Sequence, residues 1–244
     1  MEAEHKKEYR QRILPAVVLL LVFVLPLFLF TGCAARNEQT MNAVHVVRLA
    51  TDYREEDLGY QQLQIFAQGV SEKSKGTLEV QIYKVGEWSN AESFLEYIDS
   101  GVLDMACLPG EQAVILQPGY AVYEQPYLFS GLSMVEQYVC GTAAHKALQQ
   151  LPQEYYGIGF VADGYRYWIQ QSSDKMYSYG AVKHLAEIHE VENTIIYDVQ
   201  AVYGLHPLVV SQKWWADLAE QEQLWLQESF QESLKITMKK TLWK

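Results

Sequence analysis

The sequence has little positive charge. Among its 244 residues, 19 are lysine or arginine and 30 are aspartate or glutamate, so the formal net charge is −11. A protein that binds nucleic acid needs a basic patch or stripe to neutralise phosphates, and this chain has no such stripe. DNA and RNA are therefore not expected partners. With 49% apolar residues, the chain can nevertheless bury a substantial core.

Cysteine is scarce and stands only at positions 33, 107 and 140. None of the three has the spacing of a zinc motif. Cys107 lies in an apolar run and Cys140 in a helix-like one, a setting that suits one disulfide or, equally, two small buried hydrophobes. The histidines add no metal site, because His184 and His189 are five residues apart and ligands on one helix face stand at i and i+4. We expect no metal and no cofactor.

Catalytic motifs are also missing from the sequence. It contains no nucleophile elbow, no phosphate-binding loop and no HExxH pattern. No nucleophile can be matched with a base at a supporting spacing. We therefore do not expect an enzyme.

One long apolar run is present, from Ile13 to Phe30, and basic residues precede it. A basic segment, an apolar core and small residues before Cys33 are typical of an export signal. A run of 18 residues is also near the lower limit for an uncleaved membrane-spanning helix. Pro15 and Pro26 weaken that alternative. In both cases the rest of the chain lies outside the cytoplasmic membrane.

The body of the chain alternates strand and helix patterns. Apolar residues recur at helical spacing in two segments, and three other segments are β-branched, alternating or short apolar runs. In order, these are strand Val44–Ala50, helix Tyr60–Ser74, strand Thr77–Val85, helix Ala91–Asp99 and strand Val102–Leu108. This order predicts a parallel sheet covered by helices. Later, Trp214 to Met238 carries an apolar stripe that predicts a core-facing helix.

Five short stretches follow one another in a recognisable order. They are Glu72-Lys73-Ser74-Lys75-Gly76, the helix and turn from Phe94 to Gly101, Leu103-Asp104-Met105-Ala106, Gln125-Pro126-Tyr127-Leu128-Phe129 and Gly164-Tyr165-Arg166. In order and spacing they resemble the solute-binding proteins of tripartite ATP-independent periplasmic (TRAP) transporters, the dicarboxylate-binding (DctP) family. The resemblance covers Val44 to about Ser172. It implies an α/β, two-lobed fold like that of the type II periplasmic binding proteins.

The end of the long apolar run also resembles a known signal. Phe30-Thr31-Gly32-Cys33 is similar to the lipobox of bacterial lipoproteins, in which the cysteine becomes the lipidated first residue of the mature protein. The resemblance implies that residues 1–32 are a lipoprotein signal peptide and that Cys33 is the site of lipidation. The small and polar residues of 33–43 are typical of a flexible tether.

The resemblance is interrupted after Ser172. In the family, much of the second lobe follows here, including a Lys-x-Arg-x-Pro strand whose arginine is the main clamp on the substrate carboxylate. Nothing between Ser172 and Val182 corresponds to it, and the likeness resumes at Glu187–Glu192. The resemblance therefore implies a complete first lobe with crossover strands at 44–172. It leaves a truncated second lobe with closing helices at 173–244.

The candidate ligand site combines two kinds of evidence. In open α/β sheets, ligands bind beyond the carboxyl ends of the strands, which selects Thr51, Asp52, Tyr53 and Asn90. The resemblance adds Arg166, a secondary carboxylate contact in the family and here the one matched arginine. Asn90 has a structural alternative as the N-cap of the following helix. The alternative for Arg166 is a surface arginine lying over aromatic stems.

The resemblance implies a function for the whole chain. We expect an extracytoplasmic, lipid-anchored solute-binding protein that captures a small organic acid and delivers it to the membrane permease subunits of a TRAP transporter. The missing segment motivates an alternative, a degenerate or sensory derivative that no longer binds a transport substrate. The identity of the acid is left open by the sequence.

Overall fold

A computed structural model of the chain describes residues 44–84, 90–171, 177–180 and 194–242. For 166–171, 177–180, 194–201 and 241–242 the description is confined to the backbone. The predicted signal peptide, the tether and the lipidation site Cys33 lie outside the described residues. So do His184 and His189 and the stretch Glu187–Glu192.

Strands and helices alternate through the first half of the described chain, as the sequence predicts. The strands are β1 (His45–Thr51), β2 (Leu78–Lys84), β3 (Met105–Cys107), β4 (Tyr155–Gln171), β5 (Tyr177–Gly180) and β6 (Thr194–Ser211). The α-helices are α1 (Leu58–Lys73), α2 (Ala91–Asp99), α3 (Leu132–Val139), α4 (Thr142–Leu148), α5 (Gln212–Asp217) and α6 (Glu220–Leu242). Two 3-10 helices, Gly110–Ile115 and Pro118–Glu124, lie between β3 and α3.

The strands form one mixed sheet in the order β2-β1-β3-β6-β4-β5. β1 pairs in parallel with both β2 and β3, which confirms the predicted parallel arrangement. β6 then runs antiparallel to both β3 and β4. β3 is shorter than predicted because the chain is still turning out of α2, where Gly101 has a φ of 72° and Leu103 N–H donates to the Tyr97 carbonyl at 3.0 Å.

The ends of β4 and β6 extend the sheet beyond the first lobe. β4 and β6 pair over most of their lengths, from Tyr155↔Ser211 to Gln171↔Thr194, and therefore extend past the short strand β3. β5 pairs directly with this extension, opposite Tyr167 to Gln170 of β4. Within the described residues, this small antiparallel extension agrees with the predicted truncation of the second lobe.

The core joins the sheet to α1 and α6. The rings of Phe66 and Phe230 meet edge to face, with centroids 5.9 Å apart. A Cβ on Gly159 of β4 would lie 2.6 Å from Phe230 Cδ1, so glycine is what allows α6 to approach the strand so closely. At the surface, Lys73 Nζ lies 2.9 Å from Glu232 Oε1.

The predicted C-terminal helix is in fact two helices. Leu218 has an extended ψ of 145° after α5. α6 then begins at Glu220, and Glu222 Oε2 accepts a hydrogen bond from Ala219 N–H at 3.0 Å. The long second helix faces the core as predicted, with its buried apolar side chains four residues apart: Leu226, Phe230, Leu234 and Met238.

Both cysteines within the described ranges are free. Cys107 is buried in β3, and Cys140 is exposed at the end of α3. Of the two predicted alternatives, Cys107 therefore follows the buried-hydrophobe one, and no disulfide joins the pair. Across the same ranges, the helices are too short or too polar to cross a bilayer.

Candidate functional site

The candidate site lies at the carboxyl edge, which we define as the edge of the sheet where β1 and β3 end. Antiparallel pairing brings β6 and β4 to the same edge, since Cys107 lies opposite Leu208 and Val161 lies opposite His206. The loop at 85–89, which follows β2, lies outside the described residues. The carboxyl edge is therefore built by the ends of β1 and β3 and by the middle of β4 and β6.

Thr51 and Tyr53 underlie this edge rather than line its surface. Both are buried, with exposed fractions of 0% and 1%, and Thr51 Oγ1 accepts a hydrogen bond from Tyr53 N–H at 3.2 Å. The Tyr53 ring lies against Gly59 near the start of α1, where a Cβ would approach the Tyr53 hydroxyl to 2.7 Å. Asp52, between them, is half-buried. In this turn, Asp52 is therefore more exposed than Thr51 and Tyr53, which have a structural role.

Asn90 is the N-cap of α2, as its structural alternative predicted. Its Oδ1 accepts from Ser93 N–H at 2.8 Å and from the Ser93 hydroxyl at 2.9 Å. The neighbouring Ala91 N–H donates to Gln112 Oε1 at 2.8 Å, which ties the start of α2 to the loop after β3. Asn90 is exposed and stands at the rim of the carboxyl edge. The cap uses the Oδ1 atom of Asn90 as acceptor, so the two Nδ2 hydrogens take no part in it.

Arg166 lies in β4 with its backbone opposite Val202 of β6. Two register shifts flank it, one between Ala162 and Gly164 and one between Arg166 and Trp168. Gly164 has a φ of 96°, which side chains other than glycine rarely adopt. Bulges of this kind re-aim the residues beside them. The description of Arg166 ends at its backbone, so its role as the carboxylate contact stays a prediction.

Two residues that the sequence reasoning did not select lie at the centre of the carboxyl edge. The side chains of His206 and Asp163 are both buried and adjacent, with His206 Nε2 3.8 Å from Asp163 Oδ2. His206 Nδ1 accepts a hydrogen bond from Gly110 N–H at 3.2 Å. The ring of Tyr53 packs on the His206 ring with centroids 5.0 Å apart. One weak sequence signal existed, since Asp163 directly precedes Gly164-Tyr165-Arg166.

A buried glutamine joins α1 to the same part of β4. Gln62 is fully buried, and its Oε1 accepts from Ala162 N–H at 3.0 Å. That N–H belongs to the residue before Asp163, at the register shift between Ala162 and Gly164. The glutamine therefore satisfies a backbone donor in a region where the sheet ladder is irregular.

Tyr165 supplies a neutral donor beside Arg166. Its ring meets that of Tyr203 edge to face, with centroids 5.0 Å apart. Burial raises the pKa of its hydroxyl above the usual value, so Tyr165 stays protonated at neutral pH. A protonated phenol can donate a hydrogen bond to an anion.

Within the described ranges, no group of histidine, cysteine, aspartate and glutamate is arranged to hold a metal ion.

A cavity of about 330 Å³ lies elsewhere, at the opposite edge of the sheet. We define this opposite edge by the pair Tyr155 and Ser211, where β4 begins and β6 ends. His145, Leu148, Gln149, Tyr156 and Gln212 are among the residues lining the cavity. The cavity is therefore far along the strands from the candidate site, and its volume alone does not identify the functional edge.

A family model described as bacterial extracellular solute-binding protein, family 7, matches residues 49–178, more than half of the chain. A TRAP periplasmic solute-binding protein of Ochrobactrum anthropi, with its C-terminus in the ligand pocket, is 13% identical with a TM-score of 0.73, over 82% of this chain and 78% of that one. One from Desulfovibrio desulfuricans, with sn-glycerol-3-phosphate, is 16% identical with a TM-score of 0.72, covering 81% and 80%. One from Pseudomonas aeruginosa, with L-malate, is 12% identical with a TM-score of 0.70, covering 81% and 86%.

Proposed function

This chain belongs to the bacterial extracellular solute-binding proteins of family 7, and on that premise we propose that it captures a small organic acid and delivers it to a TRAP membrane permease. The family consists of binding proteins, not enzymes, which agrees with the expectation that the chain is not an enzyme. In this proposal, capture takes place outside the cytoplasm, which the description of the family as extracellular supports.

The observation that carries this proposal is the extent of the family match. It runs from β1 to β5 and includes the ends of all three parallel strands, where ligands of open α/β sheets bind. Proteins with the same fold contain sn-glycerol-3-phosphate and L-malate, and one from Sulfurospirillum deleyianum contains succinate. These three ligands share an anionic group on a small polar molecule, which is the ligand class that we propose.

Each predicted site residue has a role in the proposal. Arg166 pairs with the carboxylate, since a guanidinium can donate two parallel hydrogen bonds to it. Tyr165 donates from its neutral hydroxyl, and Asn90 donates from Nδ2 while its oxygen caps α2. Asp52 accepts from a hydroxyl of the ligand. Thr51 and Tyr53 support the loop from below, because both are buried.

Titration of the protein with sn-glycerol-3-phosphate, succinate and L-malate tests the ligand class, with isothermal calorimetry and thermal unfolding as readouts. A bound acid raises the unfolding temperature, and the stabilisation grows with the logarithm of the acid concentration once that concentration exceeds Kd. Arg166→Ala removes up to two charge-assisted hydrogen bonds worth ~1.5–3 kcal/mol each, so we expect at least about a tenfold loss. Arg166→Lys keeps the charge but loses the fork and falls between the two.

Lys239→Ala is the matched control, because it removes one positive charge from an exposed position on α6. We expect it to bind the acid as the wild type does. An Arg166→Ala protein that binds as tightly as the wild type would return Arg166 to the alternative of a surface arginine. A folded wild type that binds none of the three acids would contradict the proposed ligand class.

The proposal extends to membrane attachment through a lipid on Cys33, with residues 1–32 removed as a lipoprotein signal peptide. Its support is the sequence alone, where Phe30-Thr31-Gly32-Cys33 ends the apolar run. Labelling of cells with a clickable palmitate analogue is expected to mark the wild type and not Cys33→Ala. An unlabelled wild type that stays in the membrane fraction would favour an uncleaved N-terminal anchor instead.

A second candidate function is a sensory or inactive derivative, and the truncated second lobe favours it. Residues 172–193 are all that separates β4 from β6, and β5 is formed within them. The family's Lys-x-Arg-x-Pro clamp has no counterpart there, so the acid would be held from one side. Co-purification with permease subunits supports transport, whereas a folded chain that binds neither acid nor permease supports the derivative.

A further inference from the structure

His206 is a buried imidazole at the point where three strands meet. It has an exposed fraction of 1% and lies on β6 opposite Val161 of β4. The carbonyl of the next residue, Pro207, accepts a hydrogen bond from Leu108 N–H, just after β3, at 3.0 Å. Burying an imidazole costs free energy unless its polar atoms are engaged. The contacts of the imidazole ring therefore indicate which loops and strands it connects.

The first contact runs to the loop after β3. Gly110 N–H donates to His206 Nδ1 at 3.2 Å. Gly110 is the first residue of a 3-10 helix, and the first amides of a helix have no partner within it. Nδ1 can accept only when it carries no proton, so this contact assigns the ring hydrogen to Nε2. His206 thereby fixes a loop that faces the ligand by the strand-end rule.

The second set of contacts runs to β4 and to the turn after β1. His206 Nε2 lies 3.8 Å from Asp163 Oδ2, and Asp163 Oδ1 accepts from Gly59 N–H at 3.4 Å. The Tyr53 ring packs on the imidazole with centroids 5.0 Å apart. One buried side chain therefore links the turn after β1, the loop after β3 and the long strand β4.

We propose that His206 is a positioning residue of the ligand site. Because it is buried, it acts through the Gly110 loop and Tyr53 and does not touch the ligand. This inference rests on the proposed function, since it gives His206 a part in that site. A histidine that only fills the core would differ in one respect: its replacement would lower the free energy of unfolding without lowering the affinity of the protein that remains folded.

Three substitutions separate these roles. His206→Asn places an amide oxygen near the position of Nδ1 and keeps an acceptor for Gly110, whereas His206→Gln places its amide near Nε2 and Asp163. His206→Ala removes both groups. With the acid that binds the wild type most tightly among sn-glycerol-3-phosphate, succinate and L-malate, we expect His206→Asn to stay within about threefold of the wild-type Kd. We expect His206→Gln and His206→Ala to lose at least about tenfold, equivalent to ~1.4 kcal/mol.

The Gly110 contact is measured directly in the free protein. In a 15N-labelled sample, an N–H···N hydrogen bond gives a scalar coupling between the Gly110 amide nitrogen and His206 Nδ1. The coupling, together with rescue of affinity by His206→Asn but not by His206→Gln, supports the inference. An absent coupling, a protonated Nδ1 or wild-type affinity in folded His206→Ala overturns it.

The outcomes separate this inference from the proposed function. A wild type that binds none of the three acids overturns the proposed function, and the positioning role of His206 in that function is then overturned as well. A wild type that binds, beside variants that bind equally well, overturns the role of His206 alone. If His206→Ala does not fold, the comparison of His206→Asn with His206→Gln decides, and equal affinities of these two count against the inference.

Discussion

The two edges of the sheet differ in where they keep their polar groups. At the carboxyl edge, Thr51, Gln62 and His206 are almost completely buried. At the opposite edge, the polar residues around the cavity, such as Gln149 and Gln212, are exposed. Burying polar groups costs free energy that only well-placed hydrogen bonds offset, so such groups indicate a constrained site. A cavity between a helix, a turn and a strand carries no such cost.

The cavity therefore lies at a different edge from the candidate site. The cavity of about 330 Å³ opens where α4 and the following turn meet the start of β4. Its ring of amides and tyrosines is half-buried or exposed and adjacent to water. The carboxyl edge, in contrast, gathers an irregular strand ladder, a glycine with positive φ and a buried histidine. Variants that affect both edges, one edge or neither can test the distinction.

The largest effect is expected for Phe230→Ala, which removes support from both edges. Phe230 is fully buried between Gly159 of β4 and Phe66 of α1. Loss of a buried phenylalanine leaves a cavity and lowers the free energy of unfolding by about 3–5 kcal/mol. Denaturation in urea measures this loss, and Leu224→Ala, at an exposed position of the same helix, is the control. A loss below about 1 kcal/mol would show that the shared core is less tightly packed than the structure indicates.

Gly59→Ala affects the carboxyl edge alone. The new Cβ would approach the Tyr53 hydroxyl to 2.7 Å, and Tyr53 is too deeply buried to move away freely. We expect the free energy of unfolding to fall by about 1–3 kcal/mol and the affinity for the acid to fall with it. Gly119→Ala is the control, because its Cβ has no neighbour closer than 3.9 Å. Equal behaviour of the two variants would contradict the close packing of Tyr53 on α1.

Asn90 allows the cap and the ligand contact to be measured separately. Asn90→Ala removes the cap of α2 and is expected to lower the free energy of unfolding by about 0.5–2 kcal/mol. Asn90→Asp keeps an acceptor for Ser93 N–H but loses the Nδ2 donors, so it should keep the stability and lose affinity for an acid. Calorimetry of both variants gives the answer. Unchanged affinity in Asn90→Asp would leave Asn90 with a capping role only.

Local patterns made the first lobe predictable from the sequence. Helix Ala91–Asp99 was predicted with its observed bounds, because a capping asparagine precedes it and Ser100-Gly101 ends it. The parallel order of β1, β2 and β3 followed from the alternation of elements. The family resemblance added the truncation of the second lobe. The apolar stripe alone predicted one helix across the break between α5 and α6, because the stripe continues through Leu218 into the longer helix, whereas the resemblance predicted more than one closing helix.

The centre of the candidate site could not be predicted in the same way. His206 and Asp163 are distant in sequence and meet only through the register of β4 on β6, which includes a shift between Ala162 and Gly164. A bulge of one residue turns a side chain to the other face of a sheet, and the sequence does not encode that shift in its hydrophobic pattern. Gly110 adds its backbone N–H, which no side-chain motif reveals.

The smallest effect is expected at the opposite edge, for Tyr155→Phe. The Tyr155 hydroxyl donates to the Asp99 carboxylate at 2.9 Å, and burial, followed by this hydrogen bond and the carboxylate charge, raises the pKa of Tyr155 from 10.0 to about 12. Because the folded protein holds the phenol proton more tightly, the stabilisation is fully present below pH 10 and is lost as the pH rises through about 12.

Tyr155→Phe should therefore be less stable than the wild type by about 0.5–1.5 kcal/mol at pH 8, and this difference should shrink as the pH rises above 10. Urea denaturation at pH 8 and at a pH above 10 measures the change in the free energy of unfolding, with Tyr97→Phe at an exposed position as the control. The affinity for the acid should remain unchanged, because Tyr155 lies at the edge away from the candidate site. A loss of affinity in Tyr155→Phe would instead make the cavity part of the binding function and end the distinction between the two edges.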